Sequence, residues 1–181
     1  VLLMQMPLPR SLQAEGAEDS FIRTLSQVQD DLRRDYVTGA YNAVYLNEQY
    51  RPIAERAAMS GTPVGVVMVR VNEYWQLREH ESDSAANCCL NMAAGILQLA
   101  VGPDHDKAVL ARLNDGFFAI VTIGTPAARM AQTVREAMND SRREFNISLS
   151  RRGSFTVEIA SAEWGETASW DMTLSLAQQR L

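Results

Sequence analysis

Arg112 and Asp115 stand three residues apart in the run Arg112-Leu113-Asn114-Asp115. A guanidinium presents a planar fork of donors, which suits a phosphate or the Hoogsteen edge of a guanine. The same residues also suit a local role, because Asn114-Asp115-Gly116 reads as a tight turn that Asp115 can serve. A second cation, Arg70, follows the apolar run Val64 to Val69. It either meets a phosphate, pairs with a nearby acid such as Glu73, or is a solvated charge at a strand end. His80 lies between Glu79 and Glu81 with no serine or cysteine nucleophile at a recognisable spacing, so it reads as a surface residue. Cys88 and Cys89 are adjacent on a helical stretch, poorly placed for a disulfide and without zinc-ligand spacing to His80 or His105. They are expected to be reduced core thiols of a cytoplasmic protein.

The bulk properties narrow the chemistry further. The chain has 181 residues, 46% of them hydrophobic, enough for one sizeable domain and a short extension. Seventeen basic against twenty-two acidic residues leave a net charge of -5, the wrong sign for neutralising a long run of phosphates. Polymeric nucleic acid is not an expected partner. No run of apolar residues approaches the ~20 needed to span a bilayer. The opening Val1-Leu2-Leu3-Met4 lacks an initiator methionine, a basic leader and a cleavage site, and the chain reads as a piece of a longer protein.

Around these residues the elements follow from spacing. Val1 to Leu8 suggests a short strand, and the polar residues Ser11 to Glu18 a linker, so residues 1–18 form an upstream segment. Phe21, Leu25, Val28 and Leu32 recur at four, three and four, marking 19–34 as a helix with a short coiled-coil seam. That seam serves either a homodimer or packing against the domain. Leu46, Tyr50, Ile53 and Ala57 form the next helical stripe, bent at Pro52. Thr62 to Val71, continuously apolar, reads as a central strand. Leu90, Ala94, Leu97 and Val101 line a helix capped at Ser82 or Asp83. Lys107 to Ile123 form a hairpin turning at Asn114-Asp115-Gly116. A helix opens at Thr125-Pro126 and continues through Met130, Val134 and Ala137. Phe145 to Ser150 and Phe155 to Ile159 suggest a second hairpin around Arg151-Arg152-Gly153, and Met172 to Leu181 a closing helix. Trp75, Trp164 and Trp170 read as packing residues, and Arg142-Arg143 and Arg151-Arg152 as solvated ends. The order predicts an α+β fold, an antiparallel or mixed sheet with helices packed on it.

Asp35-Tyr36-Val37-Thr38-Gly39-Ala40-Tyr41-Asn42, at the end of the heptad-like helix, resembles the Asp-x-Leu-Thr-Gly-Leu-x-Asn motif that opens GGDEF domains, the diguanylate cyclase family. In the same register Val64 to Asn72 is similar to the family's first core strand, and Asn87 to Leu97 to the helix after its guanine-binding loop. Val109 to Leu113 matches the lead into its signature hairpin. The likeness covers residues 19 to 162, with a vaguer fit to the end. It implies a ferredoxin-like, nucleotidyl-cyclase-type sheet, mostly antiparallel and flanked by helices, over 35–181.

The resemblance also implies what chemistry to look for. The family joins two GTP molecules into cyclic di-GMP across a dimer, using paired magnesium ions that require hard oxygen ligands. Its Asp-x-Asp segment falls on Arg70-Val71-Asn72. Its signature Gly-Gly-Asp-Glu-Phe falls on Asn114-Asp115-Gly116-Phe117-Phe118, so Gly116 and Phe117 replace the acidic pair, and the side chains of Asn114 and Asp115 crowd the nucleotide's approach. The guanine-reading Asn falls on Arg78, the guanine-reading Asp on Asn87, and the strand-end lysine on Trp75. The inhibitory Arg-x-x-Asp falls on His105 and Ala108, which leaves Arg112 and Asp115 either as a displaced version or as the family's ordinary arginine before the signature. Arg70, Asn72, Gly116 and Phe117 thus mark a degenerate catalytic site, and Arg112, Asp115, Asn87 and Arg78 are the candidate ligand contacts.

The leading expectation is a catalytically silent module of a bacterial signalling protein, without magnesium or another cofactor. It would work through other domains of its chain, a protein partner, or dimerisation along Phe21, Leu25, Val28 and Leu32. The alternatives are a non-catalytic receptor for cyclic di-GMP or GTP, and altered catalysis on another nucleotide.

Overall fold

The computed structural model describes residues 10–104, 106–148 and 155–181. The chain divides into two units at Arg33/Arg34. The first contains helix α1, Arg10–Arg33. The stretch Ser11 to Glu18, expected to be a linker, is helical: it contains no proline, and its alanines, glutamates and glutamine favour the helix over its single glycine. On α1 the predicted seam is exposed, with Phe21, Leu25, Val28 and Leu32 at 64%, 46%, 48% and 73%. The strand expected over Val1 to Leu8 lies outside the described residues.

The second unit begins with a two-residue strand β1 (Tyr41–Asn42) and short helix α2 (Ala43–Tyr45). A π-helical turn over Leu46–Tyr50 leads into α3 (Arg51–Met59). That turn explains a correction to the predicted stripe. The wider turn shifts the helical phase, so Leu46, Tyr50 and Ala54 are buried while Ile53 is exposed. Pro52 lies in the first turn of α3, where a missing N–H is harmless, so it need not bend the helix interior.

Strand β2 (Val64–Val71) is followed by α4 (Tyr74–His80), a helix the sequence pattern does not suggest, and by α5 (Asp83–Val101), capped by Ser82 as expected. By length and composition α5 is apolar enough to cross a bilayer, with a mean hydropathy of 1.4, contrary to the expectation drawn from uninterrupted apolar runs. Here, however, its residues Ala86, Leu90, Ala93, Ala94, Leu97 and Val101 are buried in the core. Both cysteines are free thiols, but only Cys89 is a core thiol as expected; Cys88, one position away on the helix, faces outward and is exposed, and burial pushes the Cys89 thiol up to about 12.

Strands β3 (Ala108–Asn114) and β4 (Phe117–Ile123) form the predicted hairpin, and α6 (Ala127–Ser148) begins one residue after Pro126, whose carbonyl accepts from Arg129 and Met130. The second hairpin is overturned. Phe145 to Ser148 continue α6, because no glycine or proline interrupts the sequence before Gly153; residues 149–154 lie outside those described. Strand β5 (Val157–Glu163) instead pairs with β2. Helices α7 (Trp164–Thr167) and α8 (Trp170–Gln179) close the unit.

The five strands lie in the order β1-β3-β4-β2-β5, parallel only between β1 and β3. Strand β2 is interior, as its continuous apolar run predicts, and alternation sends its side chains to two cores. Val67, Val69 and Val71 join Leu90, Leu97, Phe118 and Ile120 in one cluster, while Val66 and Met68 join Leu46, Tyr50, Val121 and Trp170 in the other. The outer edge of β5 is covered by arginines: Arg135 Nη2 donates to the Ile159 carbonyl at 3.2 Å and Arg180 Nη1 to the Ser161 carbonyl at 2.8 Å.

Arg180 also grips Glu166, whose second ligand is the Glu163 backbone N–H at 2.8 Å. The Arg180 hydrogen bond and then that backbone donor hold the Glu166 carboxyl at about 2, below its ordinary 4.5. A depressed carboxylate contributes stability that is full above the unfolded-state value and is lost as pH falls through the folded one. Wild-type stability is therefore expected to drop between about pH 4.5 and 2 more steeply than that of Glu166→Gln, measured by denaturant titration at each pH; equal slopes would remove Glu166 from the acid transition.

Candidate functional site

The opening motif and the hairpin tip are tied together by one arginine. Arg112 Nη1 donates to both carboxylate oxygens of Asp35 at 3.2 Å, while Nε and Nη2 donate to the Asp115 carbonyl at 3.1 and 2.9 Å. The Arg112 and Asp35 side chains are only 13% and 15% exposed. Asp35 Oδ2 accepts from the Thr38 amide at 2.9 Å and the Thr38 hydroxyl at 2.7 Å. The turn then closes through Gly39 at φ +71, whose N–H reaches the Asp35 carbonyl, and through Asp35 N–H to the Ala40 carbonyl. Arg34 donates to the Gly39 carbonyl and lies 3.9 Å over the Tyr41 ring. Strand β1 pairs beside Ala111 and Arg112, and Asn42 caps α2 by accepting from the Tyr45 amide at 2.8 Å. Asp35, Thr38 and Asn42 of the motif thus all have structural partners.

At the tip, the positive φ falls on Asp115, at 40°, rather than on Gly116. A bulge between Arg112 and Asn114 shifts the register there, so Asn114 faces Phe117. Gly116 is closely packed: a Cβ there would lie 3.0 Å from both the Tyr74 Cβ and the Val71 carbonyl, so that one of them would have to give way by a few tenths of an ångström. Its own carbonyl accepts from Val71 N–H at 2.9 Å, which seats the tip against the end of β2.

Arg70 lies opposite Phe117 on one side and Glu158 on the other. Its Nη2 pairs with Glu158 and its Nε is 3.4 Å from Asn72 Oδ1. The suggested acid, Glu73, instead accepts from the Thr156 amide and hydroxyl at 2.7 and 2.6 Å, and Asn72 also holds Thr156. Nothing in the spacing marks Glu158 as the partner of Arg70, because the local pattern around it points to a hairpin rather than to pairing with β2. Arg70, Val71, Asn72, Trp75, Gly116 and Phe117 line a cleft of about 280 Å³ whose walls, among the described residues, carry no carboxylate. Among the described residues, no group of three or more His, Cys, Asp or Glu side chains is placed to hold a metal ion.

The other candidates are placed on α4 and α5. Arg78 donates to Asp83 at 3.0 Å and to the Tyr74 hydroxyl at 3.4 Å, and lies 5.4 Å over the Trp75 ring. Asn87 is half-buried on α5. Trp170 is a packing residue, buried with its indole N–H donated to Asn47 at 3.1 Å, and Trp164 packs at the same core. Trp75 departs from the packing expectation: it is 48% exposed and forms a wall of the cleft. His105 and Arg151-Arg152 lie outside the described residues.

A mixed five-stranded sheet with flanking helices and a hairpin tip seated at the end of the interior strand β2 is a nucleotidyl-cyclase-type domain. The chain belongs to the GGDEF, diguanylate cyclase family, whose model matches residues 32–181. It is similar to the coiled coil and GGDEF domain of DgcB from Caulobacter crescentus, solved in complex with c-di-GMP, with a TM-score of 0.78 and 19% identity over 94% of this chain and 89% of that one. The FimX GGDEF domain from Pseudomonas aeruginosa gives 0.64 and 21%, over 82% and 90%. Diguanylate cyclase SiaD from the same organism, solved with its activator SiaC, gives 0.69 and 17%; 94% of this chain matches 65% of that one.

The Asp35–Arg112–Asp115 linkage leads to a stability test. Arg112→Ala is expected to destabilise the domain by about 2–4 kcal/mol, between the cost of a charged hydrogen bond and that of breaking a fully buried pair. Arg112→Lys should recover only part of this, since an ammonium cannot reproduce the planar fork. Urea unfolding of both variants checks it, and a loss within 0.5 kcal/mol, roughly that of an ordinary surface substitution, would refute it.

Proposed function

We propose that this GGDEF domain is a catalytically inactive signalling module that acts through protein contacts within a larger regulatory protein, in the bacterial cytoplasm. One observation carries the reading: among the described residues, the cleft between the end of β2 and the hairpin tip is walled by Arg70, Asn72, Gly116 and Phe117 and by no carboxylate. These are the positions onto which the family's metal-binding acids fall. A guanidinium and a phenyl ring do not fit a magnesium ion, whose ligands are hard oxygens, so these walls support no metal-assisted step. Incubated with GTP and magnesium or manganese, the purified chain is expected to form no cyclic di-GMP. Product above a protein-free control would overturn the reading.

The exposed seam on α1 supports dimerisation as one such contact, because Phe21, Leu25, Val28 and Leu32 repeat at coiled-coil spacing. The solved relatives, one with a coiled coil and one bound to an activator protein, are compatible with both routes. Light scattering is expected to give a dimer mass for the wild-type chain and a monomer mass for Leu25→Glu combined with Val28→Glu. A wild-type monomer at high concentration would remove this part of the proposal. The receptor alternative rests on Arg112, Asp115 and Asn87; with all three nitrogens of Arg112 engaged by Asp35 and the Asp115 carbonyl, it is not adopted.

A further inference from the structure

The cleft has features that the loss of metal chemistry does not explain. Trp75 stands 48% exposed beside it, an unusual placement for a tryptophan with an apolar core available, and Phe117 supplies a second aromatic wall. Arg78 lies over the Trp75 ring and is itself held by Asp83 and Tyr74, which fixes the indole as a platform. At about 280 Å³ the space suits a single small ring system rather than a large ligand. Arg70 forms the polar wall. Asn72 and Glu158 take its Nε and Nη2, so the guanidinium is oriented while Nη1 keeps its donors. Among the described residues, neither Glu158 nor any other acid is one of the cleft walls.

We infer that this cleft binds a small aromatic monoanion without metal, its ring against Trp75 and Phe117 and its anionic group on Arg70. The inference rests on the reading of the site as metal-free. A neutral analogue loses the charge-assisted contact, and an aliphatic anion loses the stacking.

The test uses the full chain in EDTA with 4-fluorophenylacetate as the probe, observed by fluorine NMR. Wild type is expected to give saturable broadening and shift of the probe signal. Binding should weaken at least ~10-fold for 4-fluorophenylacetamide, for Arg70→Met and for Trp75→Ala, the factor expected from losing about one charged contact or one stacked ring. Trp75→Ala removes a half-exposed side chain, so it keeps the test valid if Arg70→Met disturbs β5. Absence of saturation with wild type, or equal binding by the amide and both variants, would overturn the inference. Binding that appears only on adding magnesium would overturn the metal-free premise instead, a result separable from the cyclic di-GMP assay.

Discussion

The contact between Asp35 and Arg112 fixes how the domain begins. Asp35 stands just after Arg33, the last residue of α1, and Arg112 is the last regular residue of β3 before the hairpin bulge. By holding Asp35 with one nitrogen and the Asp115 carbonyl with two others, the guanidinium sets the chain's point of entry and the shape of the tip together. The parallel pairing of β1 with β3, the cation–π contact of Arg34 and the capping of α2 by Asn42 are arranged around that point. A half-buried ion pair of this kind gains strength from reduced solvent screening, and its hydrogen bonds to Thr38 leave little of the carboxylate unsatisfied.

A second constraint is the sheet's two-sidedness. Because β2 buries alternate residues in separate cores, a change on one strand affects two layers of packing. The site inherits this rigidity: Val71 and Tyr74, which crowd Gly116, are themselves buried, so the tip is held against a fixed wall. The tip and the end of β2 thus form one fixed frame, with Arg70, Asn72, Gly116 and Phe117 among the walls of the cleft between them.

Much of this was legible in the sequence. Val64 to Val71 announced an interior strand by its lack of polar alternation, and Ser82 announced its helix by capping chemistry. The Asn114-Asp115-Gly116 turn was equally clear, although the positive φ falls on Asp115 and Gly116 is instead the residue packed closely against Tyr74. Other features depend on long-range pairing that spacing does not encode. Glu158 meets Arg70 eighty-eight residues away, and Asp35 meets Arg112 seventy-seven away. The π-helical turn at Leu46–Tyr50 altered the buried face; Pro52, two residues beyond it, marks an irregularity but not its kind. Phe145 to Ser148 looked strand-like in isolation but simply continued α6, where cooperative propagation outweighs local β preference.

The arginines on β5 bear on assembly. A free strand edge offers successive carbonyls to any extended chain, including a second copy of the same strand. Here the Ile159 and Ser161 carbonyls are already capped by guanidinium groups from α6 and from the residue closing α8, and the opposite edge is the two-residue β1. An incoming strand would have to displace two fixed donors on one side and would find almost no ladder on the other. Strand addition at the β5 edge is thereby disfavoured.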